Sequence, residues 1–228
     1  MYNFIDLFAG LSGIRIGFEQ AAKEMGLRTK CVLTSEIKPA AIEALRHRYP
    51  TEKCDYNIYD VNADLLPNGT DVILGGFPCQ AFSAAGKGLG FLDTRGTLFF
   101  EIERIINELT QLNMKPKGFI LENVEGLVSH GGKEKGQIYG KTLSTILHKL
   151  EIAGYNVSVA VLDASAFGVP QKRKRVYLVG VDSNYGEVDL SNLETSKVFV
   201  EDVIQRGEET DDSEFAKLLI KNVGLDKL

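Results

Sequence analysis

The sequence has few cysteines and no long apolar run, and both absences narrow the class of protein. Its three cysteines, Cys31, Cys54 and Cys79, have no paired spacing, which argues against a disulfide framework and favours a reducing environment. No segment approaches the roughly 18 consecutive apolar residues of a membrane span, and no basic stretch leads into an apolar run at the N-terminus. We therefore expect a cytoplasmic protein that is neither anchored nor exported.

Positive charge is also scarce, because the 228 residues have a net charge of −5 at pH 7. Binding of nucleic-acid phosphates needs clustered lysine and arginine, so this balance at first argues against such a partner. The negative charge is unevenly distributed, however. Residues 182–214 hold eleven acidic residues against two basic ones, whereas residues 1–181 have a net charge of +2 and include the basic run KRKR at 172–175. Alone, that run is equally consistent with a solvated turn.

Strand and helix patterns alternate along residues 1–181, and no internal repeat is visible. Such alternation predicts βαβ units and a doubly wound α/β domain with a mainly parallel sheet. The last two strands are joined by about ten residues without a helical pattern, so we expect them to form an antiparallel hairpin. The predicted strands are 2–8, 31–33, 72–74, 118–121, 155–163 and 175–181, and the predicted helices are 14–25, 40–48, 97–112 and 141–153, with a short one at 215–223.

A glycine turn follows the first strand, where ligands commonly bind in open α/β sheets. Gly10 and Gly13 let the backbone approach a ligand closely, and the amides at the start of the following helix attract an anionic group. Glu36, at the end of the second strand, is placed to accept hydrogen bonds from two ribose hydroxyls. The turn lacks the three-glycine dinucleotide fingerprint, which favours a nucleoside without a pyrophosphate; an ordinary tight turn is the alternative.

Cys79 lies in the segment GGFPCQAFS, at 75–83, just beyond a predicted strand. A lone cysteine is usually a small buried hydrophobic residue. Cys79, however, follows a proline and stands beside polar side chains, and a thiol near cationic groups or exposed amides is an effective nucleophile. Cys31 has no such setting and is interpreted as a core residue, whereas the pattern assigns no role to Cys54.

Five short segments stand out in order: FIDLFAGLSG at 4–13, GFPCQ at 76–80, DTRGTLFF at 93–100, ENV at 122–124 and QKRKR at 171–175. Together they resemble the motifs of cytosine-5 DNA methyltransferases of the bacterial and phage restriction-modification type. The resemblance implies a Rossmann-like domain that binds S-adenosylmethionine and needs no metal. It implies methyl transfer to C5 of a flipped-out cytosine in double-stranded DNA, with S-adenosylhomocysteine as product.

The resemblance also implies the roles of individual residues. Cys79 would add as a thiolate to C6 of the cytosine, and Glu122 would protonate or hydrogen-bond N3. Arg175 would bind the cytosine carbonyl, while Arg173 would support the thiolate and the glutamate. Further cofactor contacts would come from Phe8, Ala9, Gly10, Gly13, Glu36, Ile37, Asn57, Ile58, Pro78 and Leu98, and DNA contacts from Gln80, Ser83, Lys87 and Arg95. For Phe8, Ile58 and Leu98, an apolar core role is an equal alternative.

Two features depart from the family. Asn57 stands where the family usually has an aspartate that meets the cofactor adenine, and Asp60 is an alternative contact. Only 47 residues follow the hairpin, too few for the target-recognition domain and final helix of single-chain members. We therefore expect a catalytic domain over 1–181, an acidic extension over 182–228, and a second subunit that carries the missing parts. This chain alone should then bind DNA weakly and without sequence specificity.

Three rival functions stay open at this point. A eukaryotic branch of the family methylates cytosine in transfer RNA, and nothing in residues 1–181 distinguishes that substrate from DNA. A non-catalytic methyltransferase-like subunit and a nucleotide-dependent oxidoreductase are the other two. The combination of Cys79, Glu122 and Arg175 argues against both of these, because neither needs a thiolate, a carboxylate and a guanidinium at separate strand ends.

Overall fold

The computed structural model describes residues 1–78, 98–133 and 136–199. The predicted nucleophile Cys79, the predicted DNA contacts Gln80, Ser83, Lys87 and Arg95, and the predicted helix at 215–223 lie outside the described residues. None of the described helices has the length and apolar composition needed to cross a membrane.

Strands and helices alternate in the described residues as the sequence predicts, with most boundaries shifted by one or two positions. The strands are β1 (Tyr2–Leu7), β2 (Thr29–Ser35), β3 (Val72–Gly75), β4 (Gly118–Val124), β5 (Tyr155–Asp163) and β6 (Lys174–Asp182). The helices are α1 (Gly13–Glu24), α2 (Pro39–Arg48), α3 (Leu98–Gln111) and α4 (Lys141–Ile152). Pro39 occupies the first turn of α2, where its fixed φ angle suits a helix and its missing N–H costs nothing.

The six strands form one sheet in the order β2-β1-β3-β4-β6-β5. The pairs from β2 to β4 are parallel, whereas β6 runs antiparallel to both β4 and β5. The predicted doubly wound, mainly parallel sheet with an antiparallel hairpin is therefore confirmed. Because β6 runs in the opposite direction, its first residues lie at the edge where β1 to β4 end. Arg175 pairs there with Val124.

The main hydrophobic core lies between one face of the sheet and the helices that cover it. Helix α3 buries residues at i, i+3, i+4 and i+7, which is the spacing of a single helix face. Helix α1 covers part of the opposite face, where the rings of Phe4 and Phe18 meet edge to face at 5.2 Å. The main cluster includes Ile5, Leu7, Ile73, Leu121, Val176 and Leu178 from the strands, Ile102, Ile105, Ile106 and Leu109 from α3, and Leu143, Ile146 and Leu150 from α4.

The chain divides into two compact units. The first contains the whole sheet and covers residues 1–163 and 173–194. In the second, the described residues are 164–172 and 195–199; there Ser196 accepts from the Gly168 amide at 2.6 Å and donates to the Ala166 carbonyl at 2.8 Å. Residues 182–194 thus lie with the sheet in the first unit. The predicted functional boundary between 181 and 182 stays a prediction.

A glycine on β6 makes room for an aromatic ring of the core. Gly180 pairs with Phe119 across the sheet, and a Cβ at position 180 would overlap the Phe119 ring. That ring also packs edge to face on Tyr155, with 5.1 Å between centroids, so it has little freedom to retreat. The register of β4 against β6 therefore depends on the absence of a side chain here.

We expect Gly180→Ala to lower the free energy of unfolding by about 1–3 kcal/mol, because overpacking a filled core forces side chains and backbone to shift. Urea denaturation monitored by circular dichroism would measure the loss. Gly17→Ala is the matched control, since a Cβ there meets nothing within 4 Å and alanine favours the interior of α1. Equal stability of the two variants would contradict the close packing of Phe119 on β6.

Candidate active site

The turn between β1 and α1 forms the first wall of the site. Phe8, Gly10 and Ser12 all have positive φ angles, of 55°, 55° and 58°. Glycine adopts this left-handed conformation freely, whereas residues with a side chain rarely do. The turn brings the Gly10 amide to Glu36, whose Oε2 accepts its hydrogen bond at 2.7 Å. The predicted glycine turn is thus attached to the end of the neighbouring strand.

Glu36 follows β2 and is only 7% exposed. Besides the Gly10 amide at Oε2, its Oε1 accepts from the amides of Ile37 and Lys38 at 2.8 and 2.9 Å. Each carboxylate oxygen can accept two hydrogen bonds. Glu36 is therefore anchored by three backbone amides, and its Oε2 has capacity for a further donor such as a ribose hydroxyl.

Asn57 and Ile58 lie beyond the end of β2. The Asn57 side chain accepts from the Tyr59 amide at 3.2 Å and so caps the short helical turn Ile58–Asp60. This contact uses one of the two acceptor positions of the Asn57 oxygen, and the side-chain nitrogen makes no hydrogen bond to the described residues. Ile58 is 4% exposed and belongs to the core cluster, which supports the apolar core role.

Gly76, just after β3, is the point where three parts of the site meet. A Cβ at this position would lie 3.3 Å from Glu122 Oε2, 3.9 Å from the Phe8 carbonyl oxygen and 4.0 Å from Ile14. A side chain at position 76 would therefore press on the Glu122 carboxylate. The segment that leads to Cys79 thus passes between the glycine turn and the end of β4.

The same segment is held by Asn123, which is 2% exposed. Its Nδ2 donates to the Phe77 carbonyl at 2.9 Å, and its Oδ1 accepts from the Val124 amide at 2.8 Å. The Phe77 ring is buried against Phe99, with 5.9 Å between centroids. Sequence reasoning assigned no role to Asn123, although its place in the ENV segment was a signal. Asn123 and Phe77 fix the backbone two residues before Cys79.

Glu122 and Arg175 form an ion pair at the end of β4. Arg175 Nε lies 2.8 Å from Glu122 Oε1, and both side chains are about four-fifths buried. Arg173 is exposed, and its backbone amide donates to Asp163 at 3.1 Å. Tyr177 stands opposite Glu122 in the sheet, and burial, aided by the Glu122 charge, raises the pKa of Tyr177. The arginine that contacts the glutamate in the structure is therefore Arg175.

Comparison with known proteins assigns these features to a family. A family model described as C-5 cytosine-specific DNA methylase matches residues 2–223. The chain belongs to this family. Among curated relatives, the type II methyltransferase M.NlaIV of Neisseria lactamica is 51% identical over 219 residues, which are 96% of this chain and 50% of that protein. M.NgoBV of Neisseria gonorrhoeae is 50% identical over the same shares of the two chains.

The chain spans about half the length of these curated methylase relatives. Among solved structures, that of a DNMT2 variant from Spodoptera frugiperda superposes with a TM-score of 0.69 at 21% identity. It covers 92% of this chain and 61% of that one. This likeness concerns the fold, and it agrees with the Rossmann-like methyltransferase domain that the sequence predicts.

Most of the predicted methylase site residues within the described part lie at one edge of the sheet. They are contributed by the ends of β1, β2, β3 and β4 and by the start of β6. Phe8 and Leu98 are half-buried against the core, whereas Ile37 is 66% exposed. The cofactor and DNA contacts assigned to these residues stay predictions.

The two cysteines within the described residues have the properties of unreactive thiols. Cys31 is half-buried on β2, and burial raises its pKa to about 11. Cys54 is 1% exposed, and burial raises its pKa as well. Burial thus makes Cys54 the true core cysteine, while the interpretation of Cys31 as a core residue holds only in part. Neither thiol forms a thiolate readily at neutral pH.

Proposed function

We propose that this chain transfers a methyl group from S-adenosylmethionine to C5 of a flipped-out cytosine in double-stranded DNA. The observation that carries the proposal is the convergence at Gly76. There a Cβ added to the segment leading to Cys79 would lie 3.3 Å from Glu122 Oε2 and 3.9 Å from the Phe8 carbonyl oxygen, so this segment runs beside both the glycine turn and the Glu122 carboxylate. A cofactor bound at the turn and a cytosine bound at Glu122 would be neighbours, as direct transfer of a methyl group between them requires.

The described residues suit S-adenosylmethionine in three respects. Glu36 keeps acceptor capacity for a ribose hydroxyl while it holds the Gly10 amide. The Ser12 side chain caps no amide of α1, so the first amides of that helix can bind the carboxylate of the amino-acid part. The Asn57 amide nitrogen can donate to a ring nitrogen of adenine, and the exposed Asp60 carboxylate can accept from its amino group. When bound, the cofactor supplies a methyl group on a positively charged sulfur.

The chain's own residues would then activate the cytosine. The Cys79 thiolate forms a bond to C6, and the electrons of the C5–C6 π bond move toward C5 and N3. A proton or hydrogen bond that Glu122 gives to N3 stabilises this electron density within the ring. Glu122 Oε1 is paired with Arg175, whereas Oε2 lies toward Gly76 and has no hydrogen-bond partner among the described residues, so it is the oxygen that would bind N3. After C5 gains the methyl group, a base removes the C5 proton and the bond from sulfur to C6 breaks, which restores the thiolate.

The substrate class can be tested directly. Purified chain would be incubated with S-adenosylmethionine carrying a tritiated methyl group and with either plasmid DNA or transfer RNA. We expect label in the DNA, in 5-methylcytosine that bisulfite sequencing can locate. Label in the transfer RNA alone would favour the rival substrate. No transfer to DNA by a chain that binds the cofactor would contradict the proposed activity and favour a non-catalytic subunit.

The source of target selection is a separate hypothesis. The sequence predicts a second subunit, but M.NlaIV and M.NgoBV carry their unmatched half within the same polypeptide, so these relatives give that hypothesis no support. Affinity purification of the chain from its own host, followed by mass spectrometry, would test it. High-affinity methylation of one site by the chain alone would contradict a second recognition subunit.

A further inference from the structure

The cofactor turn contains two side chains in a conformation that side chains disfavour. Phe8 and Ser12 both have φ angles near 55°, and Gly10 between them has the same value. In this left-handed region the Cβ atom crowds the following carbonyl, so a residue other than glycine stays there only when its surroundings hold it. The contacts of Ser12 show what holds it.

Two buried carboxylates, one on β1 and one just after β2, accept hydrogen bonds from the turn. Asp6, on β1, accepts a hydrogen bond from the Ser12 hydroxyl at 2.7 Å. Glu36, just after β2, accepts from the Gly10 amide at the same distance, and the Ser12 amide donates to the Ala9 carbonyl. The backbone between Asp6 and α1 is thereby fixed at alternate residues.

Burial leaves the Ser12 hydroxyl little surface with which to contact a ligand. Ser12 is 1% exposed and Asp6 is 2% exposed. The hydroxyl also caps no amide of α1, although serine at this position usually does so. Its partner among the described residues is the Asp6 carboxylate, and this hydrogen bond ties residue 12 to β1.

We propose that Asp6 and Ser12 are positioning residues for the cofactor. Their hydrogen bond holds residue 12 in the left-handed conformation, which keeps the Gly10 amide on Glu36 and directs the first amides of α1 at the cofactor carboxylate. This inference rests on the proposed binding of S-adenosylmethionine at the turn. It extends that proposal to two residues that do not touch the cofactor.

The surroundings of Asp6 disfavour the charged form of its carboxylate. Arg15 favours the charged form, but Glu19, Glu36 and Cys31 are also close. Burial dominates and raises the pKa of Asp6 to about 6 from its ordinary 3.8. The folded chain therefore holds this proton more tightly than the unfolded chain, so the contribution of Asp6 to stability falls as pH rises through that window. If the side chain at position 6 served stability alone, an uncharged residue there would stabilise the folded chain more than aspartate does.

Two substitutions at Ser12 distinguish an effect on the backbone conformation of the turn from a direct contact with the cofactor. Ser12→Ala loses the hydroxyl and keeps a side chain in the left-handed region, whereas Ser12→Gly loses the hydroxyl but adopts that region freely. We expect Ser12→Ala to raise the Kd for S-adenosylmethionine about tenfold or more, and Ser12→Gly about threefold or less, because only alanine makes the binding-competent turn rare. Isothermal titration calorimetry would measure both, and the KM for DNA should change less than twofold.

The outcomes distinguish this inference from the proposed function. An unaltered chain that binds no S-adenosylmethionine would overturn the proposed function itself. If the unaltered chain binds it, equal weakening in both Ser12 variants would indicate direct contact, and no weakening in either would show that the hydrogen bond is dispensable. Both results would overturn the positioning role.

Two further variants complete the test. Asp6→Asn is the conservative variant of the positioning residue: because it keeps an acceptor for Ser12, it should raise the Kd for S-adenosylmethionine much less than Ser12→Ala does, and the part of the pH dependence of stability that Asp6 contributes between about 4 and 6 should disappear. Thr110→Ala removes a hydroxyl that donates to the Ile106 carbonyl on α3, and it should leave the Kd unchanged. If Thr110→Ala raised the Kd as much as Ser12→Ala does, the effect would reflect general destabilisation of the fold, and the proposal would be overturned.

Discussion

Replacement of Cys79 by serine is expected to lower methyl transfer by at least about 10³-fold, the scale seen when an enzyme loses its nucleophile. Serine has nearly the same size, but its hydroxyl ionises far less readily than a thiol, whose reference pKa is about 8.5. Affinity for S-adenosylmethionine should be unchanged, because the proposed cofactor contacts at Glu36 and the β1–α1 turn do not involve the thiol. Methyl incorporation and calorimetry on the same preparation would measure the two quantities.

Cys31→Ser is the matched control for this prediction. Cys31 is half-buried with its pKa raised to about 11, so it contributes no thiolate at neutral pH, and kcat should change less than twofold. DNA that contains 5-fluorocytosine should trap the unaltered chain covalently and fail to trap Cys79→Ser, because fluorine cannot leave C5 as a proton does. Unchanged turnover in Cys79→Ser, or its covalent capture, would rule out the mechanism.

Within the described residues, the segment that leads to position 79 is held by contacts with the core and with β4. The backbone before it is fixed by the Asn123 side chain at Phe77, and the Phe77 ring is anchored in the core. The absence of a side chain at Gly76 lets the same segment pass close to the Glu122 carboxylate, since an added Cβ would lie 3.3 Å from Oε2. A group that must attack one ring atom within about 3–3.5 Å benefits from such support.

Much of the fold could be predicted because burial gives each element its own periodicity. Helix α3 is predicted at 97–112 and found at Leu98–Gln111, since its apolar residues recur at helical spacing. The order of the strands could not be predicted in this way. That β6 lies between β4 and β5 depends on pairing between residues more than 50 positions apart, which no local pattern records.

The identity of the arginine on Glu122 shows the same limit within the site. Alternation along a strand places Arg173 and Arg175 on one face but does not say which reaches the glutamate. The register decides: Tyr177 stands directly opposite Glu122, and Arg175 is its diagonal neighbour, within reach of a long side chain. The contact between Asp6 and Ser12 was also invisible, because it depends on the left-handed backbone at residue 12.

Glu122→Gln is expected to lower kcat by about 10²- to 10⁴-fold, which is the usual contribution of a general acid or base. Glutamine keeps the shape of the side chain and can form a hydrogen bond with N3, but it cannot transfer a proton and leaves the Arg175 guanidinium without its carboxylate. The Kd for S-adenosylmethionine should not change, since Glu36 is intact. Single-turnover methylation of DNA and calorimetry would measure the two effects.

Glu125→Gln is the matched control, because this neighbouring carboxylate is about half exposed and lies 3.7 Å from Lys174. Exposed pairs of this kind contribute little, so kcat should stay within twofold.

Arg175→Met would test the partner of Glu122. If Arg175 acts through Glu122, adding Arg175→Met to Glu122→Gln should lower kcat by a smaller factor than Arg175→Met does in the unaltered chain. Full additivity would show that Arg175 acts on the cytosine by itself, as the sequence predicts. An unchanged kcat in Glu122→Gln would remove the carboxylate from the mechanism and leave Cys79 without the group that makes C6 susceptible to attack.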